Sequence, residues 1–183
     1  MPIPTPELET ARLLLTPLVT EDADAIQQVF PQWEIVRYLS NVVPWPYPPD
    51  GARLFLEQIA LPTMADGSGW YWAIRPKSSP GALIGNINVR EAGEENRGFW
   101  LAPNWRGRGL MTEACDAVTA FWFGPLDKPA LRVSKAIANT RSRNISARAG
   151  MRIIETCEND YVGGRLPSEV WEITRAEWLA RQR

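Results

Sequence analysis

The chain has 183 residues, 45% of them hydrophobic, which suffices for one well-buried core and is short for two, so a single domain over 1–183 is expected. Lys and Arg total 20 against 21 for Asp and Glu, with no sustained block of either sign, which argues against a nucleic-acid or membrane partner. Histidine is absent and only Cys115 and Cys157 are present, which removes Ser/His/Asp and Cys/His catalysis and any histidine-based metal site; no metal is expected.

Leu13, Leu15 and Leu18 stand among charged or hydroxyl residues, which predicts a first strand ending before Thr20. Thr20 reads as a helix N-cap, with Glu21, Asp22 and Asp24 in the first turn, an apolar face at Ala25, Ile26, Val29 and Phe30, and Pro31 as the stop. Val42 to Pro49 carries Pro44, Pro46, Pro48 and Pro49 around Trp45 and Tyr47, a stiff loop presenting aromatics. A helix is predicted from Asp50 to about Leu61. From Trp70 the period becomes two, giving a hairpin whose strands are joined by a turn-rich Lys77 to Ala82, then a third strand that follows a polar turn at 92–95 and ends at Pro103. Leu110, Ala114, Ala117, Val118 and Phe121 recur at helical spacing until Gly124-Pro125. A strand ending near Asn139, a short helix over Ser142 to Ala149, and strands over Met151 to Cys157 and Ser168 to Arg175 complete the chain. The two cysteines read as buried free thiols. No signal segment or stretch of about 18 apolar residues is present, so a cytoplasmic protein without a membrane span is expected.

The densest chemical signal is the passage from a strand through Pro103 into Arg106-Gly107-Arg108-Gly109-Leu110-Met111-Thr112 and a helix. The first N–H groups of a helix lack intrahelical partners and carry the positive end of its dipole, so they can converge on a diphosphate. Gly107 and Gly109 permit close approach, and Arg106 and Arg108 add charge. The alternative is a tight turn with solvated arginines. A P-loop is excluded because G-x-x-x-x-G-K-[ST] is missing, and a dinucleotide fingerprint because Thr112 replaces the third glycine.

The segment WLAPNWRGRGLMTEA, followed by a strand and NTRSRNISARAGM, together with the opening LETARLLLTPL and the ending VWEITRAEW, resembles the GNAT acetyltransferase superfamily in its RimJ/RimL-like branch. The resemblance implies an α+β, three-layer fold with a mixed, mostly antiparallel central sheet flanked by helices, and a splayed strand pair at the cofactor site. It implies acetyl-CoA as acyl donor, held by Arg106, Gly107, Arg108, Gly109, Leu110, Met111 and Thr112, with backbone contacts from Leu101 and Ala102 and further contacts from Asn139, Ser142 and Arg148. Asn139 taken alone reads as a helix cap. Three positions depart from the family pattern: Met111 replaces a small residue, Ser146 the usual tyrosine acid, and Asn96 the usual glutamate.

An amine acceptor is protonated at pH 7, with a reference pKa of about 10.4, so a base must take a proton from it, and the leaving thiolate must receive one. Glu95, or Glu94 before it, is the candidate base; Ser142, backed by Ser146, is the candidate partner of the thiolate, and the Leu101 or Ala102 N–H the oxyanion donor. Trp45, Tyr47 and Trp72 are the candidate acceptor-binding residues, against the alternative of core packing. The expected function is transfer of an acetyl group to a primary amine, a protein N-terminus or a small molecule, by a monomer or homodimer. The alternatives are a sensor of acyl-CoA or an amino-acid-like ligand on the same fold, and a structural domain without a ligand.

Overall fold

The computed structural model describes residues 2–91, 93 and 95–182. Strands β1 (Leu8–Glu9), β2 (Leu13–Pro17), β3 (Gly69–Pro76), β4 (Gly85–Arg90) and β5 (Arg97–Leu101) pair antiparallel in chain order. A second antiparallel sheet is ordered β6 (Ala130–Ala136), β8 (Gly164–Thr174), β7 (Arg152–Tyr161). Helices α1 (Ala23–Val29), α2 (Trp33–Val36), α3 (Gly51–Phe55) and α4 (Leu61–Asp66) precede β3, α5 (Leu110–Phe123) links the sheets, and α6 (Thr140–Arg148) and α7 (Arg175–Arg181) follow β6 and β8.

The layering is written in β3. Its alternation sends Trp70, Trp72 and Ile74 into the core that holds Ala114, Val118 and Phe121 of α5, while Tyr71 and Ala73 join Ile26, Phe30, Ala52 and Leu56 on the opposite face. A strand covered on both sides has no polar face, which is why its sequence is nearly all apolar. Trp72 is accordingly a core residue and not part of an acceptor site: it is fully buried, meets Phe121 edge-on at 5.5 Å, and donates its indole N–H to the Pro6 carbonyl at 2.6 Å.

Local chemistry departs from the sequence reading in three places. Thr20 is not an N-cap: Val19 opens a single 3-10 turn, its N–H donating to Asp22 Oδ2 at 3.2 Å, and the buried Asp22 pairs with Arg75. The helix begun at Gly51 does not stop at Leu61 but continues to Asp66 through Pro62. Pro62 has no N–H to give and its ring crowds the carbonyl one turn earlier; Leu56–Ala60 widens into a π turn that absorbs the mismatch, and Gly67, at φ 76°, ends the helix. The last hairpin is longer than predicted because β7, an edge strand, is exposed along most of its length and so carries no readable hydrophobic period.

Candidate active site

Strands β5 and β6 lie in different sheets and are stitched together at one end only. Asn96 donates its N–H to the Arg132 carbonyl at 2.8 Å, accepts the Arg132 N–H on Oδ1 at 2.9 Å, and donates Nδ2 to the Arg90 carbonyl at 3.2 Å. Next to it, Glu95 Oε1 accepts the Ser134 N–H at 2.8 Å. Beyond this stitch the strands part, and a cleft of about 1680 Å³ opens between them. The Ala102 N–H donates to Ile84 and the Arg90 N–H to the Asn96 carbonyl. By the alternation of an antiparallel ladder, Phe99 and Leu101 therefore turn their backbone groups toward the gap. Ala102 is thus excluded as an oxyanion donor, its N–H being used within the sheet and its side chain lying off the cleft.

At the far end the cleft meets the tip of α5. Gly107 and Gly109 take φ of 77° and 75°, the left-handed region that glycine enters without strain, and a Cβ on Gly107 would touch nothing within 4 Å. Gly109 is the N-cap and its carbonyl takes the first helical bond, from Glu113; the N–H groups of Leu110, Met111 and Thr112 are left to face outward. Met111 packs into the core and, with Leu110, also borders the cleft. The turn is clamped from β2's approach: Arg12 donates to the Arg108 carbonyl at 2.9 Å and to Glu113 Oε2 at 2.8 Å.

The two arginines of the turn behave differently from the sequence reading. Arg108 folds back, donating to the Asn104 carbonyl at 3.1 Å with its guanidinium 5.2 Å from the centre of the Trp105 ring, and does not line the cleft. Arg106 lines it, but its guanidinium is committed to the carbonyls of Leu101 and Glu34, each at 3.0 Å. Burial and the nearby Arg141 and Arg37 charges press its pKa below the usual range, the mark of a crowded cationic lip.

Between stitch and tip lie the groups able to move protons. Desolvation raises the Glu95 carboxyl to about 7, although the residue as a whole is exposed. Asn139 is the N-cap of α6, its Oδ1 accepting the Ser142 N–H at 3.3 Å, and it also lines the cleft. Ser142 Oγ reaches the cleft and accepts a hydrogen bond from Lys135 Nζ at 2.6 Å. Lys135 is the residue the sequence reading missed. It is buried, with Nζ 5.1 Å from the centre of the Phe99 ring, and burial followed by the Arg97 charge pushes its pKa down to about 7. Its signal was the strand period: Leu131, Val133 and Lys135 alternate with the half-buried Ala130, Arg132 and Ser134, so Lys135 points inward.

Ser146 does not join this group. It is fully buried, off the cleft, and its hydroxyl has no partner among the described residues. Leu101, Gly107, Gly109, Thr112 and Arg148 line the cleft together with Glu95 and Ser142, whereas Glu94 lies outside the described residues. Of the acceptor candidates, Tyr47 lines the cleft, half-buried on Phe30 at 4.9 Å with its hydroxyl pushed up to about 12 by burial. Trp45 does not: it is exposed and leans on Trp33 at 5.8 Å.

An open strand seam leading to a bare helix tip defines a class of acyl-transfer fold. A family model described as "Acetyltransferase (GNAT) domain" matches residues 12–152, well over half the chain, and the protein belongs to that family of acetyltransferases. A Bacillus subtilis (strain 168) protein named as a candidate ribosomal N-acetyltransferase, YdaF, is 30% identical over 74 residues, covering 38% of this chain and 40% of that relative's length. Among solved structures, the ribosomal-protein-S5-alanine acetyltransferase of Vibrio fischeri superposes with a TM-score of 0.80 at 14% identity, over 94% of this chain and 98% of that one. RimJ of Mycobacterium smegmatis, in complex with CoA-disulfide, gives 0.78 at 16% identity, over 98% and 96%. These likenesses establish the fold. Among the described residues, no helix is long and apolar enough to cross a membrane.

Proposed function

We propose that the protein transfers an acetyl group from acetyl-CoA to a primary amine, and that the amine is the N-terminus of a protein. Two of these relatives are named as ribosomal acetyltransferases, which supports that acceptor, while a spermidine/spermine N-acetyltransferase of Vibrio cholerae with the same fold makes small amines the comparison to run beside it. The observation that carries the reading is one cleft with an anion cradle at one end and a carboxyl poised near neutrality at the other. Bound acetyl-CoA would supply an activated thioester.

The chain's own residues would supply the rest. The N–H groups of Leu110, Met111 and Thr112 and the open face of Gly107 fit a diphosphate, with the Arg37, Arg106 and Arg141 charges drawing a polyanion to the mouth. Phe99 and Leu101 offer backbone groups to an extended amide-bearing arm, and the Leu101 N–H is the donor best placed to meet a developing oxyanion. Glu95 accepts the proton of the attacking amine, for which a pKa near the working pH is the optimum. Ser142 faces the leaving sulfur, and Tyr47 borders the acceptor's side. Holding amine and thioester in register can itself lower the barrier by roughly 7 to 11 kcal/mol.

The test is thiol release from acetyl-CoA with a panel of N-terminal peptides and small amines. Release that depends on the peptide supports the reading. CoA binding without acceptor-dependent release would instead identify a sensor.

A further inference from the structure

We propose that Lys135 is the proton-supplying partner of Ser142, so that the two form a relay which delivers a proton to the departing sulfur; this rests on the transfer reaction proposed above. The geometry is specific. Lys135 Nζ donates to Ser142 Oγ at 2.6 Å, and since that oxygen is occupied as an acceptor, its own hydrogen is free to point into the cleft. The ammonium is buried between the Phe99 ring and α6 and pairs with no carboxylate among the described residues. A buried lysine of this kind costs several kcal/mol as a permanent cation in a purely structural role, and a methionine would fill the same space without that cost. Its hydrogen bond to a cleft-lining hydroxyl points to use rather than packing.

The charged and titratable groups facing Lys135 are Arg97 of β5, Cys115 of α5 and Glu95 at the head of β5. Burial and Arg97 favour the neutral amine, while Cys115 and Glu95 favour the ammonium; the balance places the group near neutrality, where it can both hold and release a proton. The bookkeeping closes. Glu95 takes one proton from the acceptor nitrogen as the carbon–nitrogen bond forms and the carbon–sulfur bond breaks. Lys135 gives one through the Ser142 hydroxyl to the sulfur, and return of the Glu95 proton to Lys135 restores both groups. Lys135 acts through Ser142, and is in that sense a positioning residue.

The relay is testable without turnover. CoA is bound to the full-length protein, and the ultraviolet absorbance of its thiolate is followed against pH, beside calorimetry for affinity and kcat profiles with an active peptide. Lys135→Met should raise the pKa of the bound thiol, leave CoA affinity within about threefold, lower kcat on the order of 10²-fold and remove the alkaline limb of the kcat profile. Lys135→Arg, which keeps the charge but does not release a proton, should keep the thiol pKa low and remain slow. Full turnover in Lys135→Arg would overturn proton transfer. An unchanged thiol pKa and alkaline limb in Lys135→Met would overturn the proposal while leaving the transferase reading intact. A lowered thiol pKa that depends on Lys135 in a protein that acetylates no amine would do the opposite. Should Lys135→Met fold poorly, Ser142→Ala cuts the same relay with Lys135 in place and should raise the thiol pKa in the same way.

Discussion

The two ends of the cleft are built by different means. At the α5 tip, the structure comes from neighbours in sequence: two glycines in the left-handed region, a proline-led 3-10 turn over Pro103–Trp105 and a helix start. At the stitched end, it comes from residues that meet only on folding: Glu95 with Ser134, Asn96 with Arg132, Lys135 with Ser142. An end made of local backbone geometry tolerates side-chain change as long as the turn survives. An end made of side-chain contacts that form only on folding does not.

The sharpest way to break this comparison is Glu95→Gln. It should lower kcat by ~10²–10⁴-fold with little change in CoA affinity, and abolish the rise of activity through about pH 7 that the raised carboxyl imposes on the wild type. The same substitution carries a stability sign. A carboxyl raised from 4.5 to about 7 stabilises the fold fully below 4.5 and loses that contribution as pH climbs through 7. Glu95→Gln should therefore melt higher than the wild type on the alkaline side of 7, and a loss of melting temperature there would count against an enclosed carboxyl.

Gly109→Val comes next. A β-branched residue held at φ 75° is strained, so the variant should lose about 1–3 kcal/mol of stability and bind CoA at least about tenfold more weakly, read by chemical denaturation and calorimetry. Asn96→Ala tests the stitch: with the Arg132 N–H left without its side-chain acceptor, denaturant unfolding should register a loss of about 1–3 kcal/mol, with catalysis reduced and the helix tip still competent for CoA. Arg106→Ala should have the smallest effect. Its guanidinium already serves the Leu101 and Glu34 carbonyls, so CoA affinity should fall by less than about tenfold; a larger loss would show that Arg106 leaves those carbonyls for the phosphates.

The same division explains what was legible in the sequence. The order of strands and helices, the glycine turn before α5 and the capping asparagine at 139 follow from periodicity and short-range backbone rules, and these were readable. Asn96 looked like a lost catalytic residue because its partners are far along the chain; in the structure it holds the two sheets together, and its neighbour Glu95 joins the same seam by accepting the Ser134 N–H. Trp72 was misread because aromatic residues look alike in a sequence whether they face a ligand or a helix. Only the pairing of β2, β3 and β4 places it under α5. Ser146 illustrates the same point: it shares a helix face with Ser142 one turn earlier, yet it is fully buried off the cleft while Ser142 lines it.

The single stitch at Asn96 also makes the seam a gauge. The unzipped edge of β5, Arg97–Leu101, spans about 17 Å at ~3.3 Å per residue, with the helix tip beyond its far end. On the function proposed above, a thioester held by its phosphates at that tip would bring its reactive carbon to Glu95 only if its arm were long enough to traverse that edge. Carriers with shorter arms would be captured and left unreacted, so discrimination among donors would follow from the length of an open strand rather than from any pocket shaped around the acyl group.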